Sequence, residues 1–217
     1  MTENEAFIFE SIENQVRMGF LSLDEIKENI LEEIEDNELE NEISEEWANK
    51  HIETESQNRL EESKIWKNTP DTDRLVDVFN NLSDDNIIAL HNAGYTTSDG
   101  EYKVLEVERS LRDNQIVSDG YCFYHEQDLS MAISKADLSL YIAFQKDDNQ
   151  DDEVTISVGR KLVEVLNKHG FETIWNESPT TKILISNFKW ELFYDEKNLD
   201  LLDYDLVVKR MIKSRKA

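Results

Sequence analysis

The chain contains little cysteine, proline or glycine: one, two and six residues among 217. With Cys122 as its single cysteine, it can form no intramolecular disulfide and no cysteine-rich structural zinc site, which is typical of the reducing cytosol. So few glycines and prolines exclude a collagen-like or low-complexity chain. Hydrophobic residues make up 39% of the sequence and include four tryptophans, which is enough for a folded core.

Targeting and membrane signals are also missing from the sequence. The first ten residues, MTENEAFIFE, have neither the basic start nor the long apolar run of a signal peptide. No apolar run approaches the length that a membrane span requires. We therefore expect a cytoplasmic location and no membrane contact.

Basic side chains are scarce relative to acidic ones: 23 Lys and Arg against 48 Asp and Glu, for a formal net charge of -25. Nucleic-acid binding depends on Lys and Arg to neutralise phosphates, so this composition argues against it. A basic protein would be attracted to such a surface and is the expected partner. The alternative is that the charge only keeps the chain soluble. The sequence does not fix the oligomeric state.

The negative charge is concentrated near the N-terminus. Residues 1–70 carry 20 acidic and 6 basic side chains, a net charge of -14, against 28 and 17 in the remaining 147 residues. We predict an acidic N-terminal helical region over residues 1–66, with glutamates that are candidates for partner binding. These are Glu32, Glu33, Glu35, Glu45 and Glu46.

Apolar spacing predicts the helices of this region. Residues 3–18 form one helix that ends at Gly19, and Ser22 with Glu25 forms a capping box that starts a second. Isoleucines then recur every four residues from Ile26. The apolar stripes are narrow, so we expect these helices to pack against the main domain.

Residues 67–217 alternate between helical and strand patterns, as one domain or as part of one continuous domain with residues 1–66. Thr69 and Pro70 predict a helix N-cap and first turn, and residues 98–100 predict a turn. Residues 120–125 are apolar on both faces and predict a central strand. Residues 171–176 and 182–187 predict a hairpin. The expected fold class is α+β: a mixed β-sheet with helices packed on it, preceded by the acidic helical region.

The common catalytic signatures are absent. The sequence has no Walker P-loop, G-x-G-x-x-G, G-x-S-x-G, H-E-x-x-H or EF-hand loop. No signature of a nucleotide or redox enzyme remains, and we predict no cofactor and no metal. Whether the chain is an enzyme stays open.

The stretch GYCFYHEQD at residues 120–128 is the strongest candidate for chemistry, since a buried strand ends there in polar residues. His125 is a candidate general base that Asp128 orients, with Gln127 beside it. His91 and Asp99 are candidates for a substrate or metal contact. The alternative is structural: His125 bonds a neighbouring loop and Asp128 caps the next helix.

Three motifs carry a family resemblance. They are W-x-x-x-x-D-x-D-R-L from residue 66, G-Y-x-F-Y-H-x-Q-D from residue 120, and V-G-x-x-L-V-x-x-L-x-x-x-G-F-x-x-x-W from residue 158. Over residues 65 to 190 the chain resembles an uncharacterised bacterial family, domain of unknown function 6891. The resemblance implies no activity, substrate or cofactor. It directs attention to the polar and aromatic motif positions Trp66, Asp73, Arg74, His125, Gln127, Asp128 and Trp175, beside Asp99.

Three functions follow from these observations. The first is a binding protein that engages a basic partner, in the manner of an immunity protein or an inhibitor. The second is an enzyme, such as a hydrolase, with a pocket at His125, Asp128 and His91. The third is a scaffold that self-associates through its helices. The missing catalytic signatures and the charge favour the first, with the 120–128 stretch as a central strand that ends in a structural polar network.

Overall fold

The structure is a computed structural model that describes residues 1–66, 69–133, 138–148 and 151–215. Helices and a five-stranded mixed sheet make up these residues, so the predicted α+β class is confirmed. The chain divides into two compact units. The helical unit comprises Met1–Thr69 and Trp190–Asn198, and the sheet unit comprises Pro70–Lys189 and Leu199–Ala217. Residues 67 and 68, at the predicted boundary, lie outside the described residues.

Three helices form most of the helical unit: α1 (Glu3–Met18), α2 (Leu23–Asp36) and α3 (Glu45–Ser63). The Ser22 hydroxyl accepts from the backbone N–H of Glu25, and the Glu25 carboxylate accepts from the backbone N–H of Ser22. The predicted capping box is therefore confirmed. Gly19 ends α1 with a φ of 74°, a left-handed conformation that favours glycine. No described helix is both long enough and apolar enough to cross a membrane.

The apolar stripes of α1, α2 and α3 pack against one another. Together they enclose a core of Ile8, Ile12, Val16, Ile26, Ile30, Ile34, Leu39, Ile43, Ala48 and Ile52. Each buried isoleucine contributes roughly 1.5–3 kcal/mol relative to an exposed one. Three narrow stripes that face one another thus form a core within the helical unit. That these helices pack against the main domain stays a prediction.

Arg59 ties the segment 190–198 into the helical unit. Its guanidinium is buried and donates to the carbonyl oxygens of Trp190 (2.7 Å) and Leu192 (3.2 Å). The ring of Trp66 lies against the same guanidinium, with its centroid 4.6 Å from Cζ of Arg59. Trp66 therefore has a packing contact that stabilises this corner.

The sheet unit alternates helices and strands. Its elements are α4 (Asp71–Asp84), β1 (Ile87–Leu90), α5 (Thr97–Asp113), β2 (Gly120–Phe123), α6 (Glu126–Ile133), β3 (Leu140–Gln145), α7 (Asp152–Lys168), β4 (Glu172–Ile174), β5 (Ile183–Ser186) and α8 (Tyr204–Ser214). A 3-10 helix, Glu196–Leu201, precedes α8.

The sheet has the strand order β1-β2-β3-β5-β4. β1 pairs with β2 in parallel, and the other three pairs are antiparallel. β2 is therefore an inner strand, and β4 and β5 form a hairpin at one edge, both as predicted. The β2–β3 register places Tyr121 opposite Gln145 and Phe123 opposite Ala143, so these four residues share one face of the sheet.

Two local predictions are wrong. Pro70, not Thr69, occupies the N-cap of α4, since the first intrahelical bond runs from Arg74 to the Pro70 carbonyl. Residues 98–100 are the first turn of α5 and not a free turn. Gly100 fits there because an added Cβ would lie 2.3 Å from the ring of Phe123, which is too close for any other side chain.

Candidate functional site

The polar end of the 120–128 stretch is a local hydrogen-bonded pair. His125 immediately precedes α6. Its Nδ1 accepts a hydrogen bond from the backbone N–H of Asp128 (3.2 Å), and the Asp128 carboxylate accepts one from the backbone N–H of His125 (3.4 Å). This reciprocal pair is a capping box in which an imidazole takes the place of the usual hydroxyl.

Two further side chains join this pair from distant parts of the sequence. Nζ of Lys182 donates to both carboxylate oxygens of Asp128, at 2.9 and 2.8 Å, and lies 2.8 Å from Nε2 of His125. The hydroxyl oxygen of Thr97 lies 3.1 Å from the same Nε2. His125 and Asp128 are 4% and 5% exposed. We call these four residues the polar cluster.

His125 is neutral within the polar cluster. Burial is the main reason that its pKa lies below the ordinary value; the Asp128 carboxylate opposes this shift and the Lys182 ammonium adds to it. Because Nδ1 accepts from an N–H, the hydrogen of the neutral ring is on Nε2, where the Thr97 hydroxyl (3.1 Å) and the Asp128 carboxylate (3.2 Å) are the acceptors within reach. The Lys182 ammonium is itself a donor and bonds to Asp128, not to this N–H. Both ring nitrogens are thus engaged by protein groups, which is the arrangement of a satisfied buried network.

A groove of about 350 Å³ adjoins the polar cluster. Thr97 and Lys182 reach its wall, while His125 and Asp128 lie behind them. The groove is lined by Thr97 and Glu101 of α5, Tyr121 and Phe123 of β2, residues 143–145 of β3, and residues 179–182. The rings of Tyr121 and Phe123 are nearly parallel, 15° apart with centroids 6.1 Å from each other. Phe123 is 0% and Tyr121 is 8% exposed, so these rings form the buried floor beneath the groove.

His91 belongs to a different set of contacts. It is buried, its ring stacks on Phe79 with centroids 4.4 Å apart, and its Nδ1 lies 3.2 Å from the hydroxyl of Tyr124. Burial lowers the pKa of His91 from 6.5 to about 3. No contact within the described residues joins His91 to the polar cluster, so the two candidate histidines are not brought together.

Asp99 and Gln127 lie near the polar cluster without entering it. The Asp99 carboxylate accepts from the backbone N–H and the hydroxyl of Thr96, both at 2.8 Å, and so caps α5. These bonds lower the pKa of Asp99. Gln127 is exposed at the start of α6. Nowhere in the described ranges do three His, Cys, Asp or Glu side chains group so as to hold a metal ion.

The remaining motif residues of the sheet unit make structural contacts. Arg74 donates to Asp71 (2.8 Å) and to the carbonyl of His169 (2.7 Å). The indole N–H of Trp175 donates to the carbonyl of Ser178 (3.1 Å). Asp73 is exposed on α4; partial desolvation of its carboxyl group, together with the charge of the neighbouring Asp77, raises its pKa.

The five candidate partner-binding glutamates differ in their surroundings. Glu32, Glu35, Glu45 and Glu46 are exposed, and in the part of the chain that the structure describes none of them forms an ion pair. Glu33 is half-buried and accepts a hydrogen bond from the hydroxyl of Ser11 (2.6 Å). Four of the five carboxylates are thus available at the surface, at the end of α2 and the start of α3.

Sequence reasoning did not single out Lys182, Thr97, Glu101 or Tyr121. Thr97 and Lys182 stand 28 and 57 positions from His125, so no local pattern connects them. The available signal was weak. Lys182 is a charged residue directly before β5, and the first residue of that strand, Ile183, is fully buried.

The sequence pattern of a protein family described as Domain of unknown function (DUF6891) matches residues 1–192. The match therefore includes the acidic helices as well as the 65–190 region on which the resemblance rests. No curated protein and no solved structure matches the chain.

Proposed function

We propose that this chain, which belongs to the DUF6891 family, is a cytosolic binding protein that engages a basic protein partner through its helical unit. In this role it would act as an immunity protein or an inhibitor does, by covering a basic surface. The contact region that we assign is Glu32, Glu35, Glu45 and Glu46, which we call the acidic edge.

Four basic side chains of the helical unit support this proposal because they are engaged elsewhere, whereas Lys50, one turn from Glu46, is exposed and forms no ion pair among the described residues. Arg17 and Arg59 both bind Glu62, at 3.0 and 3.1 Å. Lys64 binds Glu61 at 2.6 Å, and Lys27 lies 3.6 Å from Glu53. The described residues therefore leave the acidic edge without a neutralising ion pair, and its field is directed at solvent.

The observation that carries the proposal is the charge at the C-terminal end of α2. Carboxylates are unfavourable there, because the last carbonyl groups of a helix form the negative end of its dipole. The last turn of α2 nevertheless contains Glu33, Glu35 and Asp36 and no basic residue. A binding surface gives a reason to keep charges that oppose local stability.

The test is a pull-down with the tagged full chain from lysate of the native host at low salt, eluted with a salt gradient. We expect a basic protein in stoichiometric yield that is released at moderate salt, since exposed charge pairs are screened within about 10 Å at 0.1 M salt. A partner that is retained through the whole gradient, or none at all, would contradict the proposal.

A pair of matched variants locates the contact. Changing the four residues of the acidic edge to glutamine should weaken capture strongly. The control changes four exposed glutamates of the sheet unit in the same way and should leave capture nearly unchanged, although the net charge of the two variants is equal. These control positions are Glu106, Glu153, Glu164 and Glu172.

The alternative function, a hydrolase with His125 as base, receives less support from the geometry. A general base needs a nitrogen within reach of substrate. Nδ1 of His125 faces the Asp128 amide, and Nε2 faces Thr97 and Lys182. A groove adjoins the polar cluster, but the imidazole does not line it. We therefore assign the polar cluster a structural role.

A further inference from the structure

The groove beside the polar cluster has its own chemistry. Lys182 is its cation, yet two of the three ammonium hydrogens point to Asp128 and the nitrogen also lies against His125. An anionic ligand would have to compete with the Asp128 carboxylate for the same donors. Lys182 therefore fixes the wall of the groove and is a poor site for an anion.

Two further groups of the groove can accept a hydrogen bond. Glu101 is exposed and, among the described residues, forms no ion pair. No described residue shares a hydrogen bond with the Tyr121 hydroxyl, which lies in the same groove. Burial raises the pKa of Tyr121, and the negative charges of Glu101 and Asp147 add to this shift. This end of the groove is therefore an electronegative region.

The aromatic rings beneath this electronegative end are buried. Phe123 is 0% and Tyr121 is 8% exposed, so the Tyr121 hydroxyl is the group of this pair that remains for a ligand in the groove. A volume of about 350 Å³ is at the lower end for ligand pockets, which suits one extended side chain better than a nucleotide or a large cofactor.

We propose that this groove receives a lysine or arginine side chain of the basic protein partner, with its cationic head at Glu101 and the Tyr121 hydroxyl and its alkyl stem along the groove. The proposal rests on the proposed function in one respect, namely that the partner is a basic protein. Its site is in the sheet unit and is thus distinct from the acidic edge.

The test uses a fragment in place of the partner. The probe is Nα-acetyl-lysine methylamide, whose side-chain ammonium is its only charge, and the control compound is the norleucine analogue, which lacks that charge. Titrations of the full 15N-labelled chain are followed through the amide resonances of Thr97, Glu101, Tyr121 and residues 180–182. We expect saturable shifts confined to these amides, with a Kd of about 1 mM for a ligand of this size.

Two substitutions on one helix provide matched variants. Glu101→Gln removes the charge in the groove and should weaken probe binding about three- to fivefold. Glu106→Gln removes the same charge from α5 outside this groove, where Glu106 pairs with Lys103 at 3.1 Å, and should change binding less than twofold. Both positions are exposed, so neither variant is expected to lose its fold.

Equal binding of the norleucine analogue, equal Kd values for the two variants, or shifts elsewhere would overturn the proposal. The outcomes separate it from the proposed function. If the groove does not bind the probe but glutamine substitution of the acidic edge releases the partner, the groove proposal fails and the proposed function stands. If the groove binds the probe but the chain captures no basic protein, the groove is a cation site and the proposed protein partner is refuted.

Discussion

His91 should make the sheet unit sensitive to mild acid. Only 7% of the residue is exposed, its ring stacks on Phe79, and burial lowers its pKa from 6.5 to about 3. The imidazole is therefore neutral when the protein is folded and takes up a proton readily only when it is unfolded. Its contribution to stability is complete above pH 6.5 and is lost as the pH falls from 6.5 towards 3.

The magnitude follows from the size of the shift. One pKa unit corresponds to about 1.4 kcal/mol. Between pH 7.5 and pH 5.0 the unfolded state gains about 2 kcal/mol from protonation of His91, while the folded state gains almost nothing. For a domain with a free energy of unfolding of about 5–15 kcal/mol, this is a measurable loss from one side chain.

The assay compares the free energy of urea unfolding at the two pH values. Intensities of the amide resonances in β2 and β3 report the sheet unit alone. His91→Phe keeps a ring on Phe79 and removes the titrating group, so the wild type should lose about 2 kcal/mol more than this variant between pH 7.5 and pH 5.0. Any constant cost of removing the contact between His91 and the Tyr124 hydroxyl cancels in this difference.

Tyr124→Phe is the matched control. It removes the hydroxyl that lies 3.2 Å from Nδ1 of His91 but keeps the imidazole buried. If burial lowers the pKa, this variant retains the full pH dependence of the wild type. Equal losses in the wild type and His91→Phe would refute the reasoning. Loss of the pH dependence in Tyr124→Phe would show that the hydrogen bond, and not burial, is its cause.

Three further perturbations follow from the contacts described above. Asp128→Asn leaves the ammonium of Lys182 without its counter-charge and should lower the free energy of unfolding of the sheet unit by about 1–3 kcal/mol; an unchanged urea midpoint would contradict the role of the polar cluster. Gly100→Ala places a methyl group 2.3 Å from the Phe123 ring and should cost about 1–3 kcal/mol in the same assay, whereas a gain in stability would show that the ring moves away. In the helical unit, Glu35→Gln at the end of α2 should raise the urea midpoint, and Glu45→Gln at the start of α3 should lower it. A carboxylate is unfavourable at the C-terminal end of a helix dipole and favourable at its N-terminal end. Shifts of the same sign would exclude this explanation.

Features with a local physical cause could be predicted from the sequence. The Ser22–Glu25 capping box and the Gly19 helix end need only neighbouring residues, and both are present. The same local reasoning failed at residues 98–100, where S-D-G is a turn signal by composition. Asp99 is instead the partner of Thr96 in a capping box. Two signals competed there, and the T-x-x-D spacing, together with the close packing of Gly100 against Phe123, determined the structure.

The candidate site illustrates a different limit. His125 and Asp128 were found because they follow a buried strand, but their chemistry depends on Lys182 and Thr97, which the fold alone brings to them. A histidine beside an aspartate resembles an acid–base pair in sequence. The same pair becomes a structural network once a lysine satisfies the carboxylate and a hydroxyl satisfies the ring. No property of residues 120–128 distinguishes these two cases.

The polar cluster also explains how the groove keeps its shape. Thr97 begins α5, which forms one wall, and Lys182 ends the 179–182 segment, which forms the other. Both side chains contact Nε2 of His125, and Lys182 is held by Asp128 as well. Two walls that are fixed to one imidazole lose little further freedom when a side chain enters between them, and this lowers the entropic cost of binding. If the groove receives a cationic side chain as we propose, the residues that resemble a catalytic pair would contribute to recognition by fixing these walls, while Glu101 and the Tyr121 hydroxyl would make the contacts with the ligand.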